Sequence, residues 1–506
     1  MRNKLIRVKK RIYGVLILSA LMSLLTACTD SSSDGESNSG AVKFYNASSN
    51  SPDMFFVVDE DLDDEDEDAL EFIYSNIGYG ESTASKNIED TNYFIEVSWQ
   101  SEDSKDREDL TIVHQTSVNI EKEQLTLFVL DGDISESTLL QYNLPIINDE
   151  NDYEEELFNF SILNLHNQYD SLQLHVSLAN ETFNEAVAIS QFEYQQLTSN
   201  QKLEQEEYIF YLTSPDQEEI LFQSEPINFP YAYQYIFMVK PSNGSGDSKF
   251  SVDILTWASF INLEHQGESG KIRVYNGIEN HELLPNYTGE ISTVLETIGD
   301  TISIDSLNIG EFSEVHSAQR GDYQIALTTS ETEQPLLRNH LLTLSENVFK
   351  TVFFYLSEEN VDYDGDGDVD EDGDGYVDEV EIKIQSMVVE NNLNESPFQH
   401  NLQLLNLVND DDYKSIRVYF VRSNELIQSA VHWRTVWFAT PSDINLTNNT
   451  YEIYAVAEDD SSDIILASKL LVLDESSNNQ FLLLERDQSS DSGYRMTLSD
   501  QNPQGN

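Results

Sequence analysis

Three β-strand patterns recur four times along this chain, and the repetition constrains the fold more than any other feature. The first pattern is a strand that ends on asparagine, and the second is an alternating strand that opens on tyrosine. The asparagines are Asn46, Asn164, Asn276 and Asn406, and the tyrosines are Tyr93, Tyr208, Tyr323 and Tyr451. The offsets within the four copies are 47, 44, 47 and 45 residues. A third, apolar strand follows about 30 residues later each time, which predicts four repeats of one unit.

Helical periodicity is rare between these strands, whereas short alternating apolar runs separated by polar turns are frequent. This pattern predicts an all-β fold of about four tandem immunoglobulin-like β-sandwich domains, each with about seven short strands. The predicted sandwiches cover residues 41–148, 156–246, 269–358 and 400–487, and a polar tail follows over residues 488–506. Each recurrent tyrosine is expected to bury its ring and to bond nearby backbone through its hydroxyl, so core packing is favoured over ligand contact.

The charge balance excludes one large class of function. The chain has 92 acidic and 27 basic residues, a net charge of −65. A nucleic-acid-binding protein needs a basic surface, and no segment after the N-terminus offers one. The chain is not a disordered polyanion either, because 39% of its residues are hydrophobic and can form a core.

The N-terminus predicts export and lipid anchoring. A cationic stretch over residues 1–14 precedes an apolar run over residues 15–25, which is too short to span a bilayer but suits a signal-peptide core. The following Leu25-Thr-Ala-Cys28 resembles the lipobox of bacterial lipoproteins, which implies a signal peptide over residues 1–27 and lipidation of Cys28. The alternatives are an ordinary signal peptide with a chance cysteine and an uncleaved anchor. Thr29 after the cysteine favours the outer membrane, with the periplasmic or the cell-surface face left open.

Cys28 is the single cysteine of the sequence, so no disulfide can hold the predicted domains together. Their stability must come from hydrophobic cores, contacts between neighbouring domains or bound metal. Residues 28–40 are rich in Ser, Asp and Gly and are interpreted as a flexible tether.

Several segments resemble a bacterial family of extracytoplasmic domains of unknown function, numbered 4397. They are residues 41–53, the stretch Ile77-Gly-Tyr-Gly-Glu81, and the strand that begins at Tyr93. The third copy shares the glycine, since Gly310 precedes Tyr323 by 13 residues as Gly80 precedes Tyr93. The second and fourth copies carry Gln195 and Phe438 at that offset. The resemblance implies an exported β-sandwich protein and no particular activity.

One acidic segment, residues 360–382, carries metal-binding chemistry. The twelve residues from Asp370 to Glu381 fit the EF-hand calcium-loop template, in which side-chain and carbonyl oxygens bind the ion and glycine at position 6 allows the turn. Glu381 would bind at position 12 with both oxygens, and the Tyr376 carbonyl would bind at position 7. The predicted ligands are Asp370, Asp372, Asp374, Tyr376, Asp378 and Glu381.

A second loop overlaps the first and is predicted to bind more weakly, because its position 12 is Gly373. Its carboxylates are Asp362, Asp364, Asp366 and Asp368. The stretch after Glu381 alternates as a strand does, so the segment is more similar to the calcium linkers of thrombospondin type 3 repeats or dockerins than to a helical EF-hand. Calcium is favoured over a plain acidic linker, and bound calcium is expected to fix the third copy against the fourth. The acidic run over residues 59–68 has no glycine and is interpreted as a solvated loop.

No catalytic motif is present in the sequence, and the nine histidines are scattered singly. Trp433 and Trp437 are the most unusual surface candidates; core packing is favoured for them, and a platform for sugar or peptide is the alternative. The leading hypothesis is a non-enzymatic, lipid-anchored binding, adhesion or scaffold protein stiffened by calcium, with an unknown protein or glycan ligand. The alternative is a carbohydrate-active hydrolase that uses paired acidic residues.

Overall fold

The computed structural model describes residues 39–60, 71–100, 110–215, 219–329, 335–361, 380–408, 413, 415–459 and 462–503. These residues form strands almost throughout, which confirms the predicted all-β class and its division into several sandwiches. Within the ranges described, the helical residues form one short α-helix, α1 (Glu150–Glu154), and three 3-10 turns at Ile134–Glu136, Phe183–Glu185 and Ile427–Ser429. No helix in the described ranges is long and apolar enough to cross a membrane.

Four units follow one another along the chain, over residues 39–145, 157–263, 270–390 and 399–500. The strands of unit 1 are β1 (Ser39–Ala47), β2 (Met54–Asp59), β3 (Glu71–Ile77), β4 (Lys86–Glu89), β5 (Asn92–Trp99), β6 (Thr111–Asn119), β7 (Gln124–Asp131) and β8 (Thr138–Pro145). The strands of unit 2 are β9 (Leu157–Asn164), β10 (Ser171–Leu178), β11 (Val187–Glu193), β12 (Gln201–Glu204), β13 (Glu207–Thr213), β14 (Ile220–Gln223), β15 (Ile227–Asn228), β16 (Gln234–Pro241), β17 (Phe250–Leu255) and β18 (Phe260–Leu263).

Units 3 and 4 have eight strands each. The strands of unit 3 are β19 (Gly270–Gly277), β20 (Glu290–Thr297), β21 (Asp300–Asn308), β22 (His316–Ala318), β23 (Gly321–Thr329), β24 (Pro335–Leu344), β25 (Phe349–Asn360) and β26 (Val380–Glu390). The strands of unit 4 are β27 (Gln399–Asn406), β28 (Ile416–Arg422), β29 (His432–Val436), β30 (Ser442–Thr447), β31 (Asn449–Asp459), β32 (Ser462–Leu473), β33 (Gln480–Arg486) and β34 (Tyr494–Asp500).

All four units share one topology. In unit 1 the first sheet has the order β4-β1-β7-β8 and the second sheet has the order β3-β2-β5-β6. Units 3 and 4 repeat this order, and unit 2 repeats it with β15 and β18 added. The first strand of each unit runs parallel to one neighbour, in the pairs β1–β7, β9–β16, β19–β25 and β27–β33. The other pairings of these strands are antiparallel. In each unit the "first sheet" is the one that contains the first strand, and the "second sheet" is the other.

The units extend beyond the boundaries that the sequence suggests. Strands β17, β26 and β34 lie at or near the edges of the first sheets, after residues 246, 358 and 487 where the predicted sandwiches end. Of these, β26 and β34 are only partly buried, whereas β17 is buried throughout. Partial burial leaves polar residues within β26 and β34, so the apolar pattern alone does not mark these two strands.

The recurrent asparagines and tyrosines hold the same places in each unit. All four asparagines are buried, and each side-chain oxygen accepts a hydrogen bond from the backbone N–H two residues later, at 2.9–3.2 Å. The four tyrosines are also buried. In units 2, 3 and 4 the hydroxyl donates to the carbonyl four residues earlier, at 2.8–3.0 Å. The tyrosine-corner prediction is confirmed in these three units.

The first sheets of neighbouring units pack face to face, so the units form two pairs. One apolar cluster joins units 1 and 2, and another joins units 3 and 4. Along β7, Leu127 and Val129 pack towards unit 2, whereas Phe128 and Leu130 pack in the core of unit 1. Because both faces of these strands are buried, their sequences are nearly continuous apolar runs.

The two pairs also contact each other. Asn347 of unit 3 accepts from the Gly246 N–H at 2.9 Å and donates to Ser242 Oγ at 3.0 Å, both in unit 2. The ring of Phe398, just before β27, stacks on Trp99 of unit 1 at 5.6 Å between centroids. Each unit therefore touches two others, which gives a block of four sandwiches rather than an extended row.

Candidate functional site

The Asp-rich segment connects two strands of one hairpin. β25 and β26 pair antiparallel up to Asn360 and Val380, and both belong to the first sheet of unit 3. The segment therefore lies within unit 3, whereas the sequence analysis expected it between units 3 and 4. Units 3 and 4 are joined by their own apolar interface, so no metal-ordered linker is needed to hold them together.

Most of the predicted ligands lie outside the described residues. These are Asp370, Asp372, Asp374, Tyr376 and Asp378 of the stronger loop and Asp362, Asp364, Asp366 and Asp368 of the weaker one. The lipidation candidate Cys28 lies outside them as well. Among the described residues, no group of three or more His, Cys, Asp or Glu side chains could hold a metal ion.

Glu381 is described, and it stands at the base of the loop on β26. Its direct cross-strand neighbour on β25 is Glu359, and both side chains are about half exposed. Lys383 Nζ lies 2.5 Å from Glu359 Oε2 and 3.4 Å from Glu381 Oε2. Two carboxylates directly opposite each other repel, and a cation between them relieves the repulsion. Lys383 supplies that cation here, so this pair does not by itself indicate a metal site.

A buried polar cluster between paired units is the main feature that the sequence analysis missed. In the unit 1–unit 2 interface, the Tyr45 hydroxyl donates to Asp253 Oδ2 at 2.5 Å, and Lys240 Nζ lies 3.4 Å from the same oxygen. The side chains of Lys240 and Asp253 are 7% and 1% exposed. Burial, and then the charge of Asp253, raises the pKa of the Tyr45 hydroxyl well above its ordinary value, so this group stays protonated as a donor.

Units 3 and 4 repeat this arrangement with other residue types. The Tyr275 hydroxyl donates to Glu485 Oε1, and Arg495 Nε donates to Glu485 Oε2 at 3.2 Å. Burial again raises the pKa of the tyrosine hydroxyl, and the charge of Glu485 adds to it. Each pair is thus held by a tyrosine from the odd-numbered unit and an acid–base pair from the even-numbered unit. We call these two groups of residues the tyrosine clamps.

The sequence carries a signal for the tyrosine clamps. The first strands of units 1 and 3 read Lys43-Phe-Tyr-Asn46 and Arg273-Val-Tyr-Asn276, with a cation and a tyrosine on alternate positions. The corresponding strands of units 2 and 4 read Ser161-Ile-Leu-Asn164 and Gln403-Leu-Leu-Asn406. This odd-and-even difference among otherwise similar repeats indicates two kinds of unit that pair.

Trp433 and Trp437 are exposed, at 45% and 53% of their surface. The expectation that they pack in the core is therefore wrong. β29 pairs with β28 without a bulge, His432 and Val436 are buried, and Trp433 points to the opposite face. Trp433 therefore lies on the face of the second sheet that points away from the core of unit 4.

The two histidines that lie closest in sequence occupy structural positions. His166 is buried against the rings of Tyr169 and Phe250, at 4.8 and 4.6 Å between centroids, and burial lowers its pKa. The His175 ring contacts Phe183, and its Nε2 lies 3.1 Å from Thr213 Oγ1. Neither histidine has a carboxylate among these partners.

Fold and contacts define a class: a tandem β-sandwich protein with four units in two clamped pairs. No family model matches the sequence, and no curated protein matches it. Among solved structures, the Bacillus anthracis TIE protein matches at 10% identity and a TM-score of 0.14, over 90% of this chain and 76% of that one.

Two further matches are bacterial adhesins. One, from Mobiluncus mulieris, is described as containing intramolecular disulfide, isopeptide and ester bond cross-links; it matches at 10% identity and a TM-score of 0.12, over 71% of this chain and 93% of that one. The other is the pilus adhesin SpaC from Lactobacillus rhamnosus GG, at 10% identity and a TM-score of 0.13, over 88% of this chain and 56% of that one. Likeness at these TM-scores carries no information about what this chain binds.

Proposed function

We propose that this chain is a non-enzymatic binding or adhesion protein of the cell envelope, exported and held at a membrane by lipid on Cys28. The observation that carries the proposal is that the buried ionisable groups of the tyrosine clamps join one unit to another. Such groups often mark active sites, but Tyr45 and Tyr275 are committed to contacts between units. These buried groups hold neighbouring units together, so a ligand would bind at the outer faces and loops of the units.

Anchoring is tested with Cys28→Ser in cells that produce the full chain. Lipidation predicts that the wild type enters the detergent phase and that the variant enters the aqueous phase or keeps its signal peptide. Equal partition of both proteins would contradict lipidation of Cys28. Release of reducing ends from a glycan panel by the purified protein would instead support the hydrolase.

Calcium is the second part of the proposal. The loop between β25 and β26 would hold the ion with Asp370, Asp372, Asp374, Tyr376, Asp378 and Glu381, and the loop that starts at Asp362 would bind more weakly. The support is the spacing of the loop, with Gly375 at position 6 for the turn and Glu381 at position 12 as the ligand that binds with both oxygens. Bound calcium would order the tip of this hairpin as a displayed element of unit 3.

A calorimetric titration of residues 29–506 tests this binding. The variant Asp370→Ala/Asp374→Ala/Glu381→Ala is expected to lose binding, and a titration to several millimolar covers the range of about 10⁻⁴ to 10⁻³ M typical of extracellular modules. The matched control is Asp63→Ala/Asp64→Ala/Glu65→Ala, which removes the same charge from the acidic run without glycine. Loss of binding in the control alone, or in neither variant, would contradict the loop as the site.

A further inference from the structure

The four repeats serve as internal controls for one another. Residues that recur at one position in all units belong to the scaffold, and a residue type found in one unit needs another explanation. The recurrent tyrosine makes it possible to align equivalent positions of the four units. In each unit, the residue three positions after this tyrosine lies on the outward face of the second sheet. The cross-strand neighbours of that residue complete a row across three strands.

This row is aromatic in unit 4, with Trp433 exposed and the two tyrosines half-buried. There Tyr454 is opposite Tyr419, and Tyr419 is opposite Trp433. The corresponding rows are Glu96, Val57 and Ile73 in unit 1, Tyr211, His175 and Ala188 in unit 2, and Ala326, Val294 and Ser303 in unit 3.

In unit 2 the corresponding rings are covered by a turn of the same unit. Tyr211 is only 1% exposed, because Phe183 from a 3-10 turn covers it at 5.1 Å between ring centroids. Phe183 also contacts His175 at 5.3 Å. In unit 4, the corresponding turn leaves Trp433 45% exposed and presents Leu426, itself 75% exposed. The turn of unit 4 therefore leaves Trp433 uncovered, unlike the turn that covers Tyr211 in unit 2.

The geometry of the row suits stacking against rings. Adjacent strands lie about 4.8 Å apart, so three cross-strand residues form a strip about 10 Å wide. The rings of Tyr419 and Trp433 have centroids 6.4 Å apart and planes tilted by 35°. Trp437, four residues after Trp433, adds a second exposed indole near the end of β29. Aromatic faces bind the apolar faces of sugar rings, while the hydroxyl and guanidinium groups beside them bond the sugar hydroxyls.

The charges of the protein indicate which kind of ligand the aromatic row of unit 4 can bind. The net charge of −65 repels polyanions over the molecule as a whole. At the row itself, the Arg417 guanidinium lies 5.8 Å from the Trp433 ring centroid, and Arg434 donates to the Trp433 carbonyl at 3.0 Å. At the other end of the row, the exposed Glu452 is hydrogen-bonded to Tyr454. A ligand of either sign therefore meets a like charge along the row, and an uncharged ligand avoids this penalty.

We propose that the outward face of the second sheet of unit 4 binds an uncharged glycan chain, which stacks on Trp433, Tyr419 and Tyr454. The inference rests on the proposed binding function and names its ligand class. Arg417 and the tyrosine hydroxyls supply hydrogen bonds at the rim of the stacked sugars. The aromatic row is the main source of affinity.

Affinity electrophoresis of residues 29–506, which include every described residue, tests the proposal. The gels contain hydroxyethyl cellulose, laminarin, dextran or yeast mannan as neutral polysaccharides, and alginate as the acidic comparison. At least one neutral polysaccharide is expected to slow the wild type, and Trp433→Ala should weaken this binding about tenfold. Trp257→Ala is the matched control, since Trp257 is 41% exposed in unit 2.

The outcomes separate this inference from the proposed function. Trp433→Phe keeps an aromatic face and should retain most of the binding, which distinguishes lost stacking from lost folding. Equal retardation of the wild type and Trp433→Ala, or retardation by alginate alone, would overturn the glycan site. If no polysaccharide slows the wild type but beads coated with it adhere to cells, the glycan inference fails and the adhesion proposal stands. If the beads do not adhere either, both fail.

Discussion

At the scale of single residues, the pH dependence of stability depends most on ionisable side chains that become buried where two units pack together. Glu279 follows β19 in unit 3, and its Oε2 lies 3.9 Å from Arg486 Nε of unit 4. Burial raises the pKa of Glu279 to about 7, with Glu358 and Glu485 adding repulsion and Arg486 opposing it. The folded protein therefore binds a proton at Glu279 that the unfolded chain has already released.

This difference in proton binding predicts a pH dependence of stability. The ordinary pKa of Glu279 is 4.5, so its contribution is fully present below that value and is lost as pH rises to about 7. The free energy of unfolding of the unit 3–unit 4 pair should fall over this range, and Glu279→Gln should reduce the slope. Urea unfolding at several pH values measures it. Glu282→Gln, an exposed acid in the same connection, is the control, and an equal effect of both variants would contradict the assignment.

At the scale of elements, the turn before the fourth strand explains an irregularity in the repeats. Its central residue has a positive φ in all four units and donates its N–H to the carbonyl of the recurrent asparagine, at 2.7–2.9 Å. That residue is glycine in units 1 and 3, as Gly80 and Gly310, but Gln195 and Ala439 in units 2 and 4. In the fourth copy the equivalent of Gly80 is thus Ala439 rather than Phe438.

The glycines are needed where the turn meets a tyrosine clamp. A Cβ atom on Gly80 would lie 2.8 Å from Lys240 Nζ and 3.3 Å from Asp253 Oδ2, and one on Gly310 would lie 2.5 Å from an Arg495 guanidinium nitrogen. Gln195 lies on the other side of its pair, where its side chain donates to Asp131 instead. Glycine therefore occurs at this turn position only in the units where the turn lies against a tyrosine clamp; the positive φ of the turn does not by itself require it.

Gly80→Ala should destabilise the unit 1–unit 2 pair by more than backbone strain alone. A non-glycine residue at positive φ costs about 1–2 kcal/mol, and the added methyl group must also displace the Lys240–Asp253 pair. Gly132→Ala is the control, because φ is +91° there and the nearest atom to a Cβ is 3.9 Å away. Denaturant unfolding should show the larger loss for Gly80→Ala. Equal losses would mean that the close approach to the clamp contributes nothing.

At the scale of the whole molecule, the face-to-face interfaces make each pair the unit of stability. The first sheet of unit 1 buries Tyr45, Leu127 and Val129 against Met238 and Ile236 of unit 2. Unfolding one unit would expose this surface on the other, which costs free energy in proportion to the apolar area. Units within a pair should therefore unfold together.

Two tryptophans report on this cooperativity separately. Trp99 belongs to unit 1 and Trp257 to unit 2. One variant that retains only Trp99 and another that retains only Trp257, of the four tryptophans, would report the unfolding of each unit by fluorescence. Their urea midpoints should coincide, as expected of one cooperative transition. Two separate midpoints would show that the interface contributes little and that the sandwiches are independent.

The sequence predicted most of the fold but less of the candidate sites. Recurrent Asn–Tyr spacings identified four sandwiches because buried positions in repeated units need the same side chains. Exposure of Trp433 could not be read from the sequence, since alternation alone does not say which face of an edge strand a neighbour covers. The calcium ligands stay a prediction from spacing, with Glu381 placed at the base of the hairpin loop.

The amino-acid sequence by itself determined the strand content, the fourfold repeat, the buried tyrosine corners and the acidic character, because these depend on local pattern and composition. The tertiary structure decided which units pair, that the Asp-rich segment closes a hairpin of unit 3, and that Lys240, Asp253 and Tyr45 meet. The physical reason is range: strand patterns are set by neighbours within a few residues, whereas the clamp joins side chains 208 positions apart, from Tyr45 to Asp253. Such contacts arise only when both sheets have formed and their outward faces are packed together.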